Sequence, residues 1–177
     1  GRVFAAAAHR FGMTPDQVTI VSAVFTFTGI AVIALVPPSL GQALLVTVLL
    51  VLGYALDAAD GQLARLRGGG SMTGEWLDHV IDSFKIATLH LAVLIAVYRF
   101  FDVDPVWLLV PIVFSAVYVI HFFGMLLTDL LTRNARLTLG MGKEAPQSGS
   151  SLMSLLKLPT DYGVLCIVFL TWGATWV

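Results

Sequence analysis

Long apolar stretches alternate with short polar segments along the whole chain, and this pattern predicts an all-α bundle of membrane-spanning helices. A helix needs about 20 residues to cross the hydrocarbon core of a bilayer. Four of the predicted helices reach this length, and a fifth is shorter, so five transmembrane helices are readable in the sequence. They are residues 18–36, 42–67, 74–100, 106–131 and 162–177, and the second is apolar only as far as residue 56 before it turns polar without a break.

The segments between these runs carry the residues that end helices. Pro37-Pro38 follows the first run, Gly68-Gly69-Gly70 follows the second, and residues 102–105 form a predicted turn before the fourth. Residues 134–160 are mixed in character and are predicted to connect the fourth run to the fifth. Because the fifth run is short for a span, we expect the chain to be truncated at its C-terminal end.

The N-terminal segment predicts a helix of a different kind. Residues 2–11 place apolar and basic side chains on opposite faces, which is typical of an amphipathic helix lying in the membrane interface. The next residues predict the start of the first span. Thr14 is suited to be its N-cap, Pro15 its first residue, and Gln17 the partner of Thr14 in a capping box.

Composition supports a membrane protein and excludes an ordinary soluble domain. Hydrophobic residues make up 58% of the chain and charged residues 12%, whereas soluble domains have about 45–50% and 25%. The formal net charge of −1 argues against nucleic acid as a partner. We therefore predict one membrane-embedded domain over residues 1–177, in contact with membrane lipids.

Basic residues in the connecting segments lie mostly at one predicted end of the bundle, which is the end that holds the N-terminus. Arg99 lies at the other end, and Lys85 lies within the third span. The positive-inside rule then places the N-terminus and the polar end of the second helix in the cytoplasm. The basic residues at that end are Arg2, Arg10, Arg65, Arg67, Arg133, Arg136, Lys143 and Lys157.

Four aspartates interrupt the second and third predicted helices close to that cytoplasmic end. Asp57 and Asp60 are three residues apart, and Asp78 and Asp82 are four apart, so each pair shares one face of its helix. The short Gly-rich connection predicts that the two helices are antiparallel neighbours. The two pairs are therefore expected to lie close together.

Four acids inside a membrane need compensation. Each ionised acid costs about 2.5–3.5 kcal/mol at the centre of a span on insertion scales, and neighbouring carboxylates repel one another. Divalent cations compensate them well, and a set of oxygen ligands favours Mg²⁺, Mn²⁺ or Ca²⁺ over zinc. We predict a magnesium site, with Mn²⁺ as an alternative and room for two ions.

The residues around the acids suit a phosphorylated ligand. Gly61 and Ala64 leave little side-chain bulk beside the first aspartate pair, and Gly74 leaves space before the second pair. Arg65 supplies a fork of N–H donors that matches the oxygens of a phosphate group. These residues predict a nucleotide close to the metal.

The motif formed by these residues resembles that of the CDP-alcohol phosphotransferases. That family carries the pattern D-x2-D-G-x2-A-R-x8-G-x3-D-x3-D, in which eight residues have fixed spacing. Thr14, Pro15 and Thr19 are also similar to the family's residues at the start of the first span. The chain fills the main pattern at every position, with Asp57, Asp60, Gly61, Ala64, Arg65, Gly74, Asp78 and Asp82.

The resemblance implies a membrane enzyme that moves a phospho-alcohol group from a CDP-alcohol to the hydroxyl of a small alcohol, releasing CMP. The donor is expected to be CDP-diacylglycerol, in a bacterial or archaeal cell membrane, for phospholipid biosynthesis. The family has six spans and forms homodimers. The implied metal ligands are the four aspartates, with Asp82 also the general base. The implied donor-binding residues are Asp57, Gly61, Ala64, Arg65 and Gly74.

Several alternatives remain open at this stage. A soluble donor such as CDP-inositol or CDP-choline fits the same motif, and intramembrane acids also serve cation transporters. Lys85 is expected either to neutralise the acids or to contact a substrate phosphate. Asp129 is expected to contact either Arg133, one turn away, or the acceptor. Arg133 and Arg136 are expected to contact either a phosphorylated acceptor or anionic lipid headgroups.

Overall fold

The computed structural model describes residues 1–140 and 162–173, and within them the chain is helical without strands. The α-helices are α1 (Arg2–Arg10), α2 (Pro15–Leu35), α3 (Leu40–Leu66), α4 (Met72–Phe100), α5 (Leu109–Thr138) and α6 (Tyr162–Val168). A four-residue 3₁₀ helix, Pro105–Leu108, comes directly before α5, and a five-residue one, Phe169–Gly173, directly follows α6.

Four helical segments of the described chain are long and apolar enough to cross a membrane, which confirms the predicted helical membrane bundle. They comprise α2, α3, α4 and the segment Pro105–Thr138 that contains α5. In the described part of the predicted fifth span, residues 162–173, the structure has a shorter apolar helix, Gly163–Trp172. Most of the predicted connecting segment lies outside the described residues.

Local sequence sets the start of α2 as expected, and it also sets the start of α4. The Thr14 hydroxyl accepts a hydrogen bond from the Gln17 backbone N–H at 3.2 Å, and the Gln17 side chain accepts one from the Thr14 N–H at 3.0 Å. This reciprocal pair confirms the capping box. At the start of α4 the cap is Ser71, whose hydroxyl accepts from the Gly74 N–H at 2.9 Å.

The predicted end of the fourth span was wrong, because α5 continues as far as Thr138. The apolar pattern ends at Leu131, but the residues beyond it include Arg, Ala and Leu, which favour a helix even where the sequence is polar. The helix ends where Gly140 adopts a positive φ of 65°. Hydropathy marks where a helix leaves the apolar layer, not where its backbone stops.

The arrangement of the helices departs from the prediction for α3 and α4. Both pack extensively along α2, and they make few backbone contacts with each other. Gly68 and Gly69 have φ values of 94° and 131°, which permit the sharp turn between the two helices. They are thus consecutive helices held by α2 rather than closely packed neighbours, because acidic side chains and cavities occupy the space between them.

Two apolar clusters hold the helices in place. The larger cluster joins α2, α3 and α4 with α6 and the 3₁₀ helix that follows it, around Ile33, Leu50 and Leu89. The smaller cluster packs Ala5 and Ala8 of α1 against α3 just beyond the aspartates. The amphipathic helix therefore lies at the acidic end of the bundle. In contrast, α5 contacts α4 but leaves most of its apolar side chains exposed.

Candidate active site

Three of the four aspartates converge between α3 and α4. Asp57, Asp60 and Asp78 each offer one carboxylate oxygen, and these oxygens lie within 4.8 Å of one another. Asp60 is buried and the other two are half-buried. A compact set of three carboxylates suits a hard divalent cation, so the residues present fit a magnesium site.

One hydroxyl group of α2 orients Asp60 of α3, and a second lies close to Asp57. The Thr19 hydroxyl donates a hydrogen bond of 2.6 Å to Asp60 Oδ2. Ser22 donates to the Gly53 carbonyl at 2.8 Å and lies 3.5 Å from Asp57 Oδ1. Such support fixes the direction in which a carboxylate presents its oxygens.

These supporting residues were not predicted from the sequence as partners of the aspartates. Thr19 was noted only through the family resemblance, and Ser22 was not noted. A signal was available, because Thr19, Ser22 and Thr26 follow one another at spacings of three and four in an otherwise apolar span. All three side chains are buried on the face of α2 that packs against α3.

Asp82 lies outside the group of three and is paired with Lys85 instead. The Lys85 ammonium donates a hydrogen bond of 3.0 Å to Asp82 Oδ1 and a second one to Asp57 Oδ1. Lys85 is only 5% exposed. These contacts agree with the role of neutralising the acids, and the contact to a substrate phosphate stays a prediction.

A polar cavity of about 470 Å³ opens beside Asp60 and Asp78. Its volume falls within the range of small-molecule sites, about 300–1,000 Å³. It brings together most of the residues that the motif implied for the donor. Those that line it are Gly61, Ala64, Arg65 and Gly74, accompanied by Thr19, Arg67 and the Gly-rich turn.

The two motif glycines that line this cavity, Gly61 and Gly74, serve different purposes. A Cβ atom added to Gly61 would meet nothing nearer than Arg65 Nη1 at 3.6 Å, so packing does not require glycine there. A Cβ atom added to Gly74 would lie 2.7 Å from Asp16 Oδ1. The space left by Gly61 therefore belongs to the cavity, whereas the space left by Gly74 is already used by the Asp16 side chain.

A second, smaller cavity of about 160 Å³ lies on the other side of the acids. It is lined by Asp57, Asp82 and Lys85. The remaining lining is mostly aromatic or apolar and comes from four helices. These residues are Thr26, Tyr54, Ile86, Tyr118 and Phe122.

Arg133 and Arg136 line neither cavity. Arg133 is exposed and bonds to Asp129 at 2.9 Å, which confirms the predicted pair, and to Glu75 at 2.6 Å. Because Glu75 also lines the larger cavity, Arg133 ties α5 to its rim. Its guanidinium is engaged by Asp129 and Glu75 and does not contact the four motif aspartates.

Comparison with known proteins now identifies the family. A model of the family described as CDP-alcohol phosphatidyltransferase matches residues 12–177. The chain belongs to this family. It is therefore an integral membrane transferase that moves a phosphatidyl group from a CDP-linked donor to an alcohol in phospholipid synthesis, and it depends on a metal ion. The predicted family and reaction class are confirmed, and the cation transporter is set aside.

Two further comparisons were made. The search of curated proteins found no match. Among solved structures, the chain is similar to the phosphatidylinositol phosphate synthase of Mycobacterium tuberculosis, crystallised with CDP-DAG bound. The two are 20% identical, the similarity covers 98% of this chain and 89% of the other, and the TM-score is 0.45.

Proposed function

We propose that the chain transfers the phosphatidyl group of CDP-diacylglycerol to the hydroxyl of a small polar alcohol and releases CMP, with Mg²⁺ as its metal. The convergence of Asp57, Asp60 and Asp78 beside a cavity that also contains Arg65 carries this proposal. An oxygen-lined metal site next to a guanidinium suits a pyrophosphate, whose oxygens bind both.

The larger cavity is proposed to hold the CMP part of the donor. Gly61 and Ala64 keep the surface of α3 low there, so that a nucleotide can approach the helix closely. Arg65 and Arg67 provide cationic groups for phosphate oxygens. Asp60 and Asp78 line the same cavity, so the proposed metal ligands would lie next to the donor's phosphates.

Asp57, Asp60 and Asp78 are the proposed ligands of Mg²⁺. When bound, the ion would neutralise charge on the pyrophosphate and on the departing CMP. Thr19 holds Asp60 in place, and Ser22 lies next to Asp57. The protein thus keeps the ligand oxygens oriented before the donor arrives.

Asp82 is the proposed general base. Lys85 engages its Oδ1, and no residue of the described chain donates to its Oδ2, which is left to accept the acceptor's proton. The acceptor oxygen forms a bond to the phosphorus furthest from cytidine, and the bond from that phosphorus to the bridging oxygen breaks. CMP leaves with the bridging oxygen, and the hydroxyl proton passes to Asp82.

The site is proposed to face the cytoplasm of a cell membrane. The amphipathic α1 packs on α3 beside the acids, so the N-terminus and the site share one end of the bundle. The excess of basic residues in the connecting segments at this end supports a cytoplasmic orientation. A homodimer is also proposed, on the family resemblance, and crosslinking in native membranes would test it.

CMP release by the purified protein tests the proposed reaction. The assay would contain CDP-diacylglycerol, Mg²⁺ and one acceptor at a time from glycerol 3-phosphate, inositol 1-phosphate, inositol, serine and ethanolamine. Release that depends on both the metal and one acceptor supports the proposal and identifies the product. Release only with CDP-inositol or CDP-choline would instead show that the donor is soluble, and no release from any CDP-alcohol would contradict the proposed reaction.

A further inference from the structure

Lys85 places its ammonium group between two acids of the site, on the side away from the larger cavity. A lysine on a membrane helix usually extends its long side chain so that the ammonium reaches water or lipid headgroups. Lys85 instead remains almost fully buried and bonds to Asp57 and Asp82. The bundle therefore contains a fixed cation of its own among the predicted metal ligands.

We propose that Lys85 takes the place of a second metal ion. One divalent cation binds at Asp57, Asp60 and Asp78, while the Lys85 ammonium neutralises Asp82 and the remaining charge of Asp57. This inference rests on the proposed function in one respect, since it requires the metal site described above. It replaces the expectation of two ions with one.

The division of the carboxylates supports a single ion. Only three acids of the described chain present oxygens to a common point, and Asp82 is not among them. A second ion would need Asp82 together with a shared ligand such as Asp57. Those are the two side chains that the Lys85 ammonium already joins. A divalent ion at the same oxygens would lie against this ammonium and be repelled by it.

The surroundings of Lys85 make its displacement unfavourable. To admit a second ion, the ammonium would have to move into the smaller cavity, whose other lining is mainly aromatic or apolar. An ammonium loses hydration there without gaining a carboxylate partner, which is costly. Lys85 is therefore a positioning residue that holds Asp57 and Asp82 together whether or not the metal is bound.

Counting bound Mn²⁺ tests this inference without relying on activity. The full chain, stripped of metal in lipid nanodiscs, would be titrated with Mn²⁺ by equilibrium dialysis, with and without CMP, and examined by electron paramagnetic resonance. We expect one ion per chain in the unmodified protein. In Lys85→Met we expect two, with coupled spectra because ions in two-metal sites lie about 3.5–4 Å apart.

Further variants show whether the second ion uses the site that Lys85 occupies. Asp82→Asn is expected to bind one ion, and the double variant Lys85→Met/Asp82→Asn also one, because the ligand exposed by loss of the lysine is then missing. Arg99→Met removes a cation from the opposite end of α4, where Arg99 bonds to the Ala34 carbonyl. This control should retain one ion.

The possible outcomes separate this inference from the proposed function. Two ions in the unmodified protein, with or without CMP, overturn the inference but leave the reaction intact, as the CMP-release assay would show. One ion in folded Lys85→Met also overturns it. If that variant does not fold, the count in the unmodified protein decides. Absence of Mn²⁺ binding in every protein would contradict both the inference and the proposed metal site.

Discussion

The two sides of the site neutralise their acids in different ways. On the side of the larger cavity, Asp60 is supported by the Thr19 hydroxyl, and the cations nearby belong to arginines at the rim. On the side of the smaller cavity, Asp82 is supported by the Lys85 ammonium. Neutral donors orient a carboxylate and leave its charge for a metal, whereas an ammonium uses part of that charge. The side of the larger cavity (the donor side) therefore suits metal binding. The side of the smaller cavity (the inner side) suits proton transfer.

The largest expected effect follows from removing a proposed metal ligand on the donor side. Asp78→Asn should lower CMP release at least about 10⁴-fold, because the ion supplies several kcal/mol of charge stabilisation. It should also abolish high-affinity Mn²⁺ binding. The control is Asp102→Asn, which alters an exposed acid in the turn before Pro105. If the Asp78→Asn variant keeps a tenth of the activity or more, Asp78 is not a metal ligand.

Asp82→Asn tests whether the inner side performs different chemistry. We expect kcat to fall about 10²–10⁴-fold, the usual contribution of a general base. Mn²⁺ affinity should change little, because Asp82 lies outside the group of three. Steady-state kinetics and Mn²⁺ titration of the same preparation measure both quantities. If Asp82→Asn lowers both Mn²⁺ affinity and kcat, the proposed difference between the two sides is contradicted.

Thr19→Val removes the neutral support of the donor side while keeping the shape of the side chain. Loss of the 2.6 Å bond to Asp60 should weaken metal binding about 10–100-fold, as for other partners of metal ligands. The matched control is Thr28→Val. Thr28 is exposed on the same helix, and its hydroxyl bonds only to the Val24 carbonyl. Equal Mn²⁺ affinities in the two variants would contradict the role of Thr19.

The smallest expected effect comes from a substitution where α3 crosses α2, because the close approach of these helices positions the acids on both sides of the site. A Cβ atom on Gly53 would lie 2.2 Å from Thr26 Oγ1 and 3.3 Å from the Ser22 carbonyl. Gly53→Ala should therefore destabilise the protein by about 1–3 kcal/mol, as overpacking does. Activity should fall only several-fold.

Thermal unfolding of the purified variant in detergent measures this loss. Gly41→Ala, also in α3, is the control, because a Cβ atom there meets nothing within 4 Å. A Gly53→Ala protein as stable as the control would show that α2 and α3 can separate without loss, and that their close approach does not position the acids.

Local sequence was sufficient for most of the fold and for the identity of the acids. Helix lengths follow from apolar runs, and the capping box follows from Thr14 and Gln17, because these features depend on neighbours in the chain. The pattern of eight motif residues gave the family that the comparison confirmed. The extension of α5 to Thr138 was missed, because hydropathy reports the membrane boundary and not the end of a helix.

Tertiary structure decided how the four acids are divided. Sequence spacing places Asp78 and Asp82 on one face of α4, and it cannot show that only Asp78 turns towards Asp57 and Asp60. Nor does it reveal that Lys85 bonds to an acid on another helix, or that Thr19 supports Asp60 from α2. These contacts join residues 28 and 41 positions apart. They depend on how α3 and α4 pack along α2, which no local pattern encodes.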